Sequence, residues 1–350
     1  MKSKLLLTSV ISLLLLDTIM VILWFTKDAI PQSRIRVILD TDTNNELDDQ
    51  HAIAYMLFNS HFFDVEGITV NRTSSGGSIE DHVVEAYRVV LLCGQRQNTN
   101  IYKGASGNYN EIVNHINTPR FDGLEAVNFI IKRAKIKGQG KLLLLAVGKL
   151  TNIALALKKD PSIAANIKIV WLGSNYPDPK EYNLMNDTSA INAILGTDVE
   201  FEIATVRLNK STGTGNVIAY LEDINKTMPG KGPEIKPPVA GRNGNLFTNF
   251  GDYLVSLFKI FPGGGVPKGR SFYDVAAIAI LKNPSWAKRV EIPVPRLLPD
   301  GSWITKSQSK NSRKIVIWEQ FEKKEIMRDF YNSMDNYILP NHNMDPAQNR

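Results

Sequence analysis

The 350-residue sequence predicts an α/β fold: a mostly parallel central sheet with helices on both faces, and a functional site at the carboxyl ends of the strands. Two observations predict it. Short apolar runs alternate with segments whose apolar residues recur at helical spacing, and polar or glycine-containing turns stand where several of those runs end. A third, the absence of any internal repeat or composition break beyond Gln32, predicts a single domain over residues 32–340.

Ile35-Arg36-Val37-Ile38-Leu39 reads as a buried strand that ends in an acidic turn, and His51 to Asn59 as the helix that follows. Val65 to Val70 is a second strand, and Ile79 to Leu92 a second helix. Ala126 to Lys135 is helical, Lys141 to Val147 a strand, and Asn152 to Lys158 a helix opened by Gly148 and Thr151. Ile167 to Leu172 is a strand ending in Gly173-Ser174-Asn175. Gly230 to Gly269, rich in Gly and Pro, predicts long loops or a lid. Ser271 to Leu281 is helical again, and Ile315 to Tyr337 reads as a strand followed by an amphipathic helix.

Composition excludes some functions. The net charge of +6 is small for this length and the 41 basic residues are scattered, apart from clusters such as Lys306 to Lys314, so no nucleic-acid stripe is expected. Cys93 is the only cysteine, which rules out an internal disulfide, and its apolar neighbours predict a buried thiol. Lys2 and Lys4 precede an apolar run from Leu5 to Phe25, long enough to cross a bilayer core, with Asp17 inside it at a cost on the order of 2.5 to 3.5 kcal/mol. Residues 1–31 are therefore expected to be a signal or membrane anchor, placing the rest on the periplasmic or extracellular side.

The acidic turn concentrates Asp40, Asp42, Glu46, Asp48 and Asp49 within ten positions. Like charges so crowded are relieved by solvation, by proton sharing or by a bound cation, and oxygen-only donors favour a hard ion. Asp40-Thr41-Asp42-Thr43 after a strand resembles the opening of haloacid dehalogenase-type phosphatases, with Lys149 available as the later lysine; that reading leaves Asp48 and Asp49 without a role.

The whole segment, Asp40-x-Asp42 followed by Asp48-Asp49 and His51-Ala52-Ile53-Ala54, resembles the signature of the calcium-dependent inosine-uridine preferring nucleoside hydrolases. Further pieces follow in that family's order: Val65 to Thr69, Ile101 to Ala105, Phe121 to Leu124, Gly148-Lys149-Leu150-Thr151-Asn152, Asn175 with Glu181-Tyr182-Asn183, and Tyr273-Asp274-Val275-Ala276-Ala277. The resemblance implies a nucleoside hydrolase-like fold with a Rossmann-like core, and cleavage of the N-glycosidic bond of ribonucleosides to free base and ribose. It implies Ca²⁺ held by Asp42, Asp49, the main-chain oxygen of Thr151, and Asp274, with Asp42 also the general base for a calcium-bound water. Asp48 and Asn183 would bind ribose hydroxyls, Asn175 and Glu181 the 5′ end, with Asn71 or Ser74 standing for an asparagine after the second strand. A homo-oligomer is also implied.

The sequence departs from that pattern in two further places. Five residues separate Asp42 from Asp48 where many members have three, and Tyr273 stands where some have a histidine that protonates the leaving group. A calcium-dependent sugar-binding protein without turnover is the alternative these departures keep open, and purine or pyrimidine preference is left open as well. Asp40 is expected to support the site from behind, and Glu46 to be solvated.

Overall fold

A computed structural model describes residues 34–263, 265–305 and 313–340; the apolar segment from Leu5 to Phe25 and most of the Lys306 to Lys314 cluster lie outside them. Eight strands form the main sheet: β1 (Ile35–Thr41), β2 (Phe63–Val70), β3 (Ile101–Lys103), β4 (Leu142–Ala146), β5 (Ile167–Gly173), β6 (Glu200–Thr205), β7 (Lys288–Pro293) and β8 (Lys314–Glu319). Their order is β7-β8-β6-β5-β4-β1-β2-β3, all neighbours parallel except the β7/β8 edge pair.

The strands are apolar because both faces are covered. In β1, Val37 and Leu39 face one core cluster and Ile38 the other; in β4, Leu143 and Leu145 face the first, and Leu142, Leu144 and Ala146 the second. On the first face pack α1 (Asp48–Leu57), α2 (Ile79–Leu92) and, from later in the chain, the helices Phe250–Ile260 and Tyr273–Lys282; on the second pack Leu124–Ala134, Thr151–Lys159 and Thr188–Leu195. Continuous apolar strands between two helical layers are what a buried parallel sheet requires. Cys93 is buried in the first cluster with a free thiol.

The order has a consequence for the site. From β1 the chain winds outward through β2 to β3, then returns to lay β4 on the other side of β1 and winds the opposite way through β5 and β6. The crevice above the carboxyl ends of β1 and β4 is thus the topological switch point of the sheet. There Asp40 pairs in register with Ala146, and Val147 N donates to Asp40 O at 2.8 Å.

The structure corrects three expectations. The helix predicted from His51 begins at Asp48, so both aspartates occupy its first turn, where the helix dipole favours negative charge. Gly230 to Gly269 is not loop throughout: Phe250–Ile260 is a helix capped by the Asn249 side chain, with Phe250, Leu254, Leu257 and Phe258 turned into the core. The strands β3, β6 and β7 were not anticipated from the sequence; β3 is three residues long, and β7 lies at the sheet edge with mostly exposed side chains. Among the described residues no helix is long and apolar enough to cross a membrane.

Candidate active site

The acidic turn leaves β1 and is fixed from several sides before it enters α1. Arg242 donates to the carbonyls of Thr43 at 3.0 Å and Glu46 at 2.9 Å, Gln50 Nε2 donates to Thr43 O at 2.7 Å, and Asn45 N closes a turn on Asp42 O at 2.9 Å. His51 is not part of the polar turn. Its ring lies among Phe250, Phe258, Phe272 and Phe330, where burial lowers its pKa to about 3.

Asp40, at the strand end, is a buried hub. Its carboxylate accepts from Thr69 Oγ1 at 2.6 Å, Asn71 Nδ2 at 2.6 Å and Asn152 Nδ2 at 2.8 Å, and burial still raises its pKa to about 6. It ties β1, β2 and the helix after β4 together behind the site, as expected. A side chain with both oxygens so engaged, and outside the cavity lining, cannot serve as the nucleophile that the phosphatase reading needs. Asn71 Nδ2 is thereby drawn against Asp40, and Asn71 is not among the residues that line the cavity.

The cavity in front of this hub has a volume of about 170 Å³ and is lined by Asp42, Asp48, Asp49, Asn175, Glu181, Asn183, Tyr273 and Asp274, with Glu46, Val147, Tyr182 and Arg270 among the others. The helices starting at Asp48 and Tyr273 aim their first turns at each other, and one carboxylate oxygen from each of Asp48, Asp49 and Asp274 lies within 4.8 Å of the others. Burial and neighbouring carboxylates hold Asp42, Asp48 and Asp274 well above the usual carboxylate range. Burial raises Asp49 to about 6, opposed by the Thr41 hydroxyl that donates to it. Buried carboxylates with no nitrogen or sulfur donor among them fit a hard divalent cation, whose charge would offset their repulsion.

Of the ligand set read from the sequence, Asp49 and Asp274 are brought together, with Asp48 as the third carboxylate of the group. Asp42 lines the same cavity while its carboxylate accepts from Thr73 Oγ1 at 2.5 Å and Asn45 Nδ2 at 3.3 Å. Thr151 stands apart: it is buried in the first turn of its helix with its hydroxyl donating to Asp187 at 2.6 Å, and it does not line the cavity. The residue of that segment that does is Val147, whose carbonyl accepts from Asn183 Nδ2 at 2.8 Å. Gly148 follows it; a Cβ there would lie 2.9 Å from Asp42 Oδ1 and from Asn71 Nδ2, so the strand end must be glycine for Asp42 to approach.

The opposite wall comes from the turn after β5. Glu181 accepts from the backbone N–H groups of Ser174 at 2.9 Å, Asn183 at 3.0 Å and Leu184 at 3.0 Å; Asn183 Nδ2 also donates to Leu172 O at 3.1 Å, bridging the ends of β4 and β5. Asn175 Oδ1 accepts from Leu208 N at 2.9 Å. Asn175, Glu181, Tyr182 and Leu208 also line a neighbouring cavity of about 750 Å³, floored by Lys149, whose ammonium donates to Ser106 O, Gly107 O and Asn108 Oδ1.

Sequence reasoning missed Arg270 and misjudged Glu46. Glu46 is not simply solvated: its carboxylate pairs with the Arg270 guanidinium, which also reaches Asp48 Oδ1 at 3.5 Å. The signal available was the two extra residues in the turn, which bring Glu46 to the cavity edge; nothing local in Gly269-Arg270-Ser271 marked its partner.

Fold and cavity together define an α/β protein with a cation-fitting acidic cleft at the switch point of its sheet. The chain belongs to the inosine-uridine preferring nucleoside hydrolase family, which it matches over residues 37–330. It is 30% identical over 205 residues to a probable uridine nucleosidase 2 of Oryza sativa subsp. japonica, covering 52% of this chain and 59% of the relative. It is 24% identical over 273 residues to the non-specific ribonucleoside hydrolase RihC of Escherichia coli O127:H6, covering 72% and 80%. The first matches thus span little more than half of the relatives' own lengths. Among solved structures, the purine-preferring ribonucleoside hydrolase from Gardnerella vaginalis is similar with a TM-score of 0.66 at 20% identity, over 85% of this chain and 98% of that one. A plant nucleoside hydrolase, PpNRh1, is similar with a TM-score of 0.66 at 16% identity, over 86% and 98%. These two establish a shared fold.

Proposed function

We propose that the chain hydrolyses the N-glycosidic bond of ribonucleosides, releasing free base and ribose, with calcium held by Asp48, Asp49 and Asp274 and the Val147 carbonyl beside them. The observation that carries this reading is the group of buried carboxylates at the switch point, in one cavity with Asp42, Asn175, Glu181 and Asn183. A hard divalent cation held there would offset the clustered charge and acidify a bound water.

The rest of the chemistry falls to the chain's own groups. Asp42 is the general base, taking the proton of the attacking water; its buried position, held by Thr73 and Asn45, keeps it more basic than a solvated carboxylate. Asp48 and Asn183 receive the ribose hydroxyls, and Asn175 and Glu181 the hydroxymethyl end. As the bond to the base lengthens, positive charge builds on the ring, and the surrounding carboxylates and amide oxygens stabilise it without reorganising.

Tyr273 supports the sugar-binding alternative, because a buried phenol raised above its usual pKa is a poor acid for a departing base. Release of free base from a nucleoside panel, measured chromatographically with calcium and again with chelator, tests the two. Calcium-dependent release supports hydrolysis; calcium-dependent binding without release supports the alternative. We further propose that the Leu5 to Phe25 segment directs the chain to export or to a membrane, testable by fractionating cells that express the tagged full chain. A homo-oligomer is a further proposal, to be read by light scattering.

A further inference from the structure

The reaction needs something to accept the charge of the departing base, and Tyr273 lines the cavity that base would leave. One side chain beside it carries a permanent charge. Arg270 lines the carboxylate-bearing cavity and also the next cleft, of about 370 Å³, whose walls include Ile218, Tyr220, Phe261, Val266 and Pro267. The aromatic and aliphatic side chains in its walls suit the face of a flat heterocycle, whereas the carboxylate cavity suits a sugar. Arg270 therefore stands at the junction between them.

Its position is fixed. The guanidinium lies over the Tyr273 ring at 5.0 Å and the Phe261 ring at 5.4 Å, and pairs with Glu46. Its Nε is buried and has no hydrogen-bond partner among the described residues. A buried donor without an acceptor is costly unless a ligand satisfies it.

Resting on the hydrolase reading above, we infer that Arg270 is the catalytic residue that takes up the negative charge of the leaving base, with Glu46 as the positioning residue that holds it. The oxygen of water forms a bond to the anomeric carbon while the bond from that carbon to the base nitrogen breaks. The electron pair of the broken bond stays on the base, and the proton of the water passes to Asp42. Charge delocalised onto ring nitrogen or exocyclic oxygen is met by N–H donors of Arg270, which keeps its own proton because a guanidinium does not titrate in this range. The base then takes a proton from solvent. On this account the two extra residues between Asp42 and Asp48 have a use, since Glu46 anchors the guanidinium over the cavity mouth.

The test compares substrates that differ in their need for this help: uridine and inosine, whose leaving bases are poor, and p-nitrophenyl riboside, whose phenolate leaves unaided. Arg270→Ala is expected to lose about 10²- to 10³-fold in kcat on the nucleosides, the size of effect of removing one preorganised donor, and much less on the nitrophenyl riboside. Added guanidinium ion should restore part of the nucleoside rate. Glu46→Gln and Arg270→Lys should show the same split at smaller size, and they keep the test open if the alanine variant does not fold. Equal losses on both substrate types, or no loss on either, overturn the assignment alone. A wild-type protein that cleaves neither overturns the hydrolase reading and the assignment with it.

Discussion

Replacing Asp49 by Asn should stabilise the cation-free protein and abolish its response to calcium. Asp49 lies within reach of Asp48 and Asp274, and its pKa stands at about 6 against an ordinary 3.8. That displacement, at about 1.4 kcal/mol per pH unit, corresponds to on the order of 3 kcal/mol by which the ionised carboxylate weakens the folded state. The sign follows from proton uptake: between 3.8 and about 6 the folded protein binds the proton that the unfolded chain has lost, so stability falls as pH rises through that window and the cost is complete above it. Asparagine keeps an acceptor for the Thr41 hydroxyl while removing the charge. At about 2 to 4 °C per kcal/mol for a chain of this size, melting in chelator near neutral pH should rise by roughly 6 °C or more. Calcium at about a hundred times its Kd should add about 2.7 kcal/mol to the wild type and little to the variant, so the order of the two melting curves converges or reverses. Differential scanning calorimetry in chelator and in calcium reads both. A variant that melts below the wild type in chelator would refute the reasoning, because it would mean that burial does not oppose the charge at this position.

Calcium affinity should fall as pH drops through about 6, where Asp49 takes up a proton that the cation must displace; calorimetric titrations in buffers of different ionisation enthalpy should show proton release on binding. Gly148→Ala should cost about 1 to 3 kcal/mol of stability, since its Cβ lies 2.9 Å from Asp42 Oδ1, and should lower kcat more than KM; urea unfolding and steady-state kinetics check the two parts. Asp40→Ala leaves the buried donors of Thr69, Asn71 and Asn152 without their acceptor, so at about 1 to 3 kcal/mol for each unsatisfied group the chain should fail to fold or unfold at much lower urea.

The main sheet was legible where strands are buried on both faces, because Ile35 to Leu39, Lys141 to Val147 and Ile167 to Leu172 are apolar runs with few competing readings. β7 was not, since an edge strand with exposed side chains carries little hydrophobic signal. Phe250–Ile260 was hidden by the Gly- and Pro-rich sequence around it, and its helix rests on burying one apolar face. In the site, the ordered motifs single out Asp42, Asp48, Asp49, Asp274, Asn175, Glu181, Asn183 and Tyr273, and these residues line one cavity. They did not foretell which main-chain segment faces it: Thr151 looks available in sequence, yet its place inside a helix turns it toward Asp187, while Val147 at the strand end reaches the cavity. Arg270 was invisible because its place at the cavity goes with its pairing to Glu46, which is far from it along the chain.

The central claim is that this cleft cleaves ribonucleosides with the aid of a cation and Asp42. The most direct measurement is the release of free base from uridine, cytidine, inosine and adenosine by the chain from about Gln32 onward, in calcium, in chelator, and for Asp42→Asn. The account predicts base and free ribose in equal amounts from at least one nucleoside in calcium, with none in chelator and a loss of several orders of magnitude in the variant. Release that persists in chelator, or an Asp42→Asn variant as active as the wild type, would contradict it.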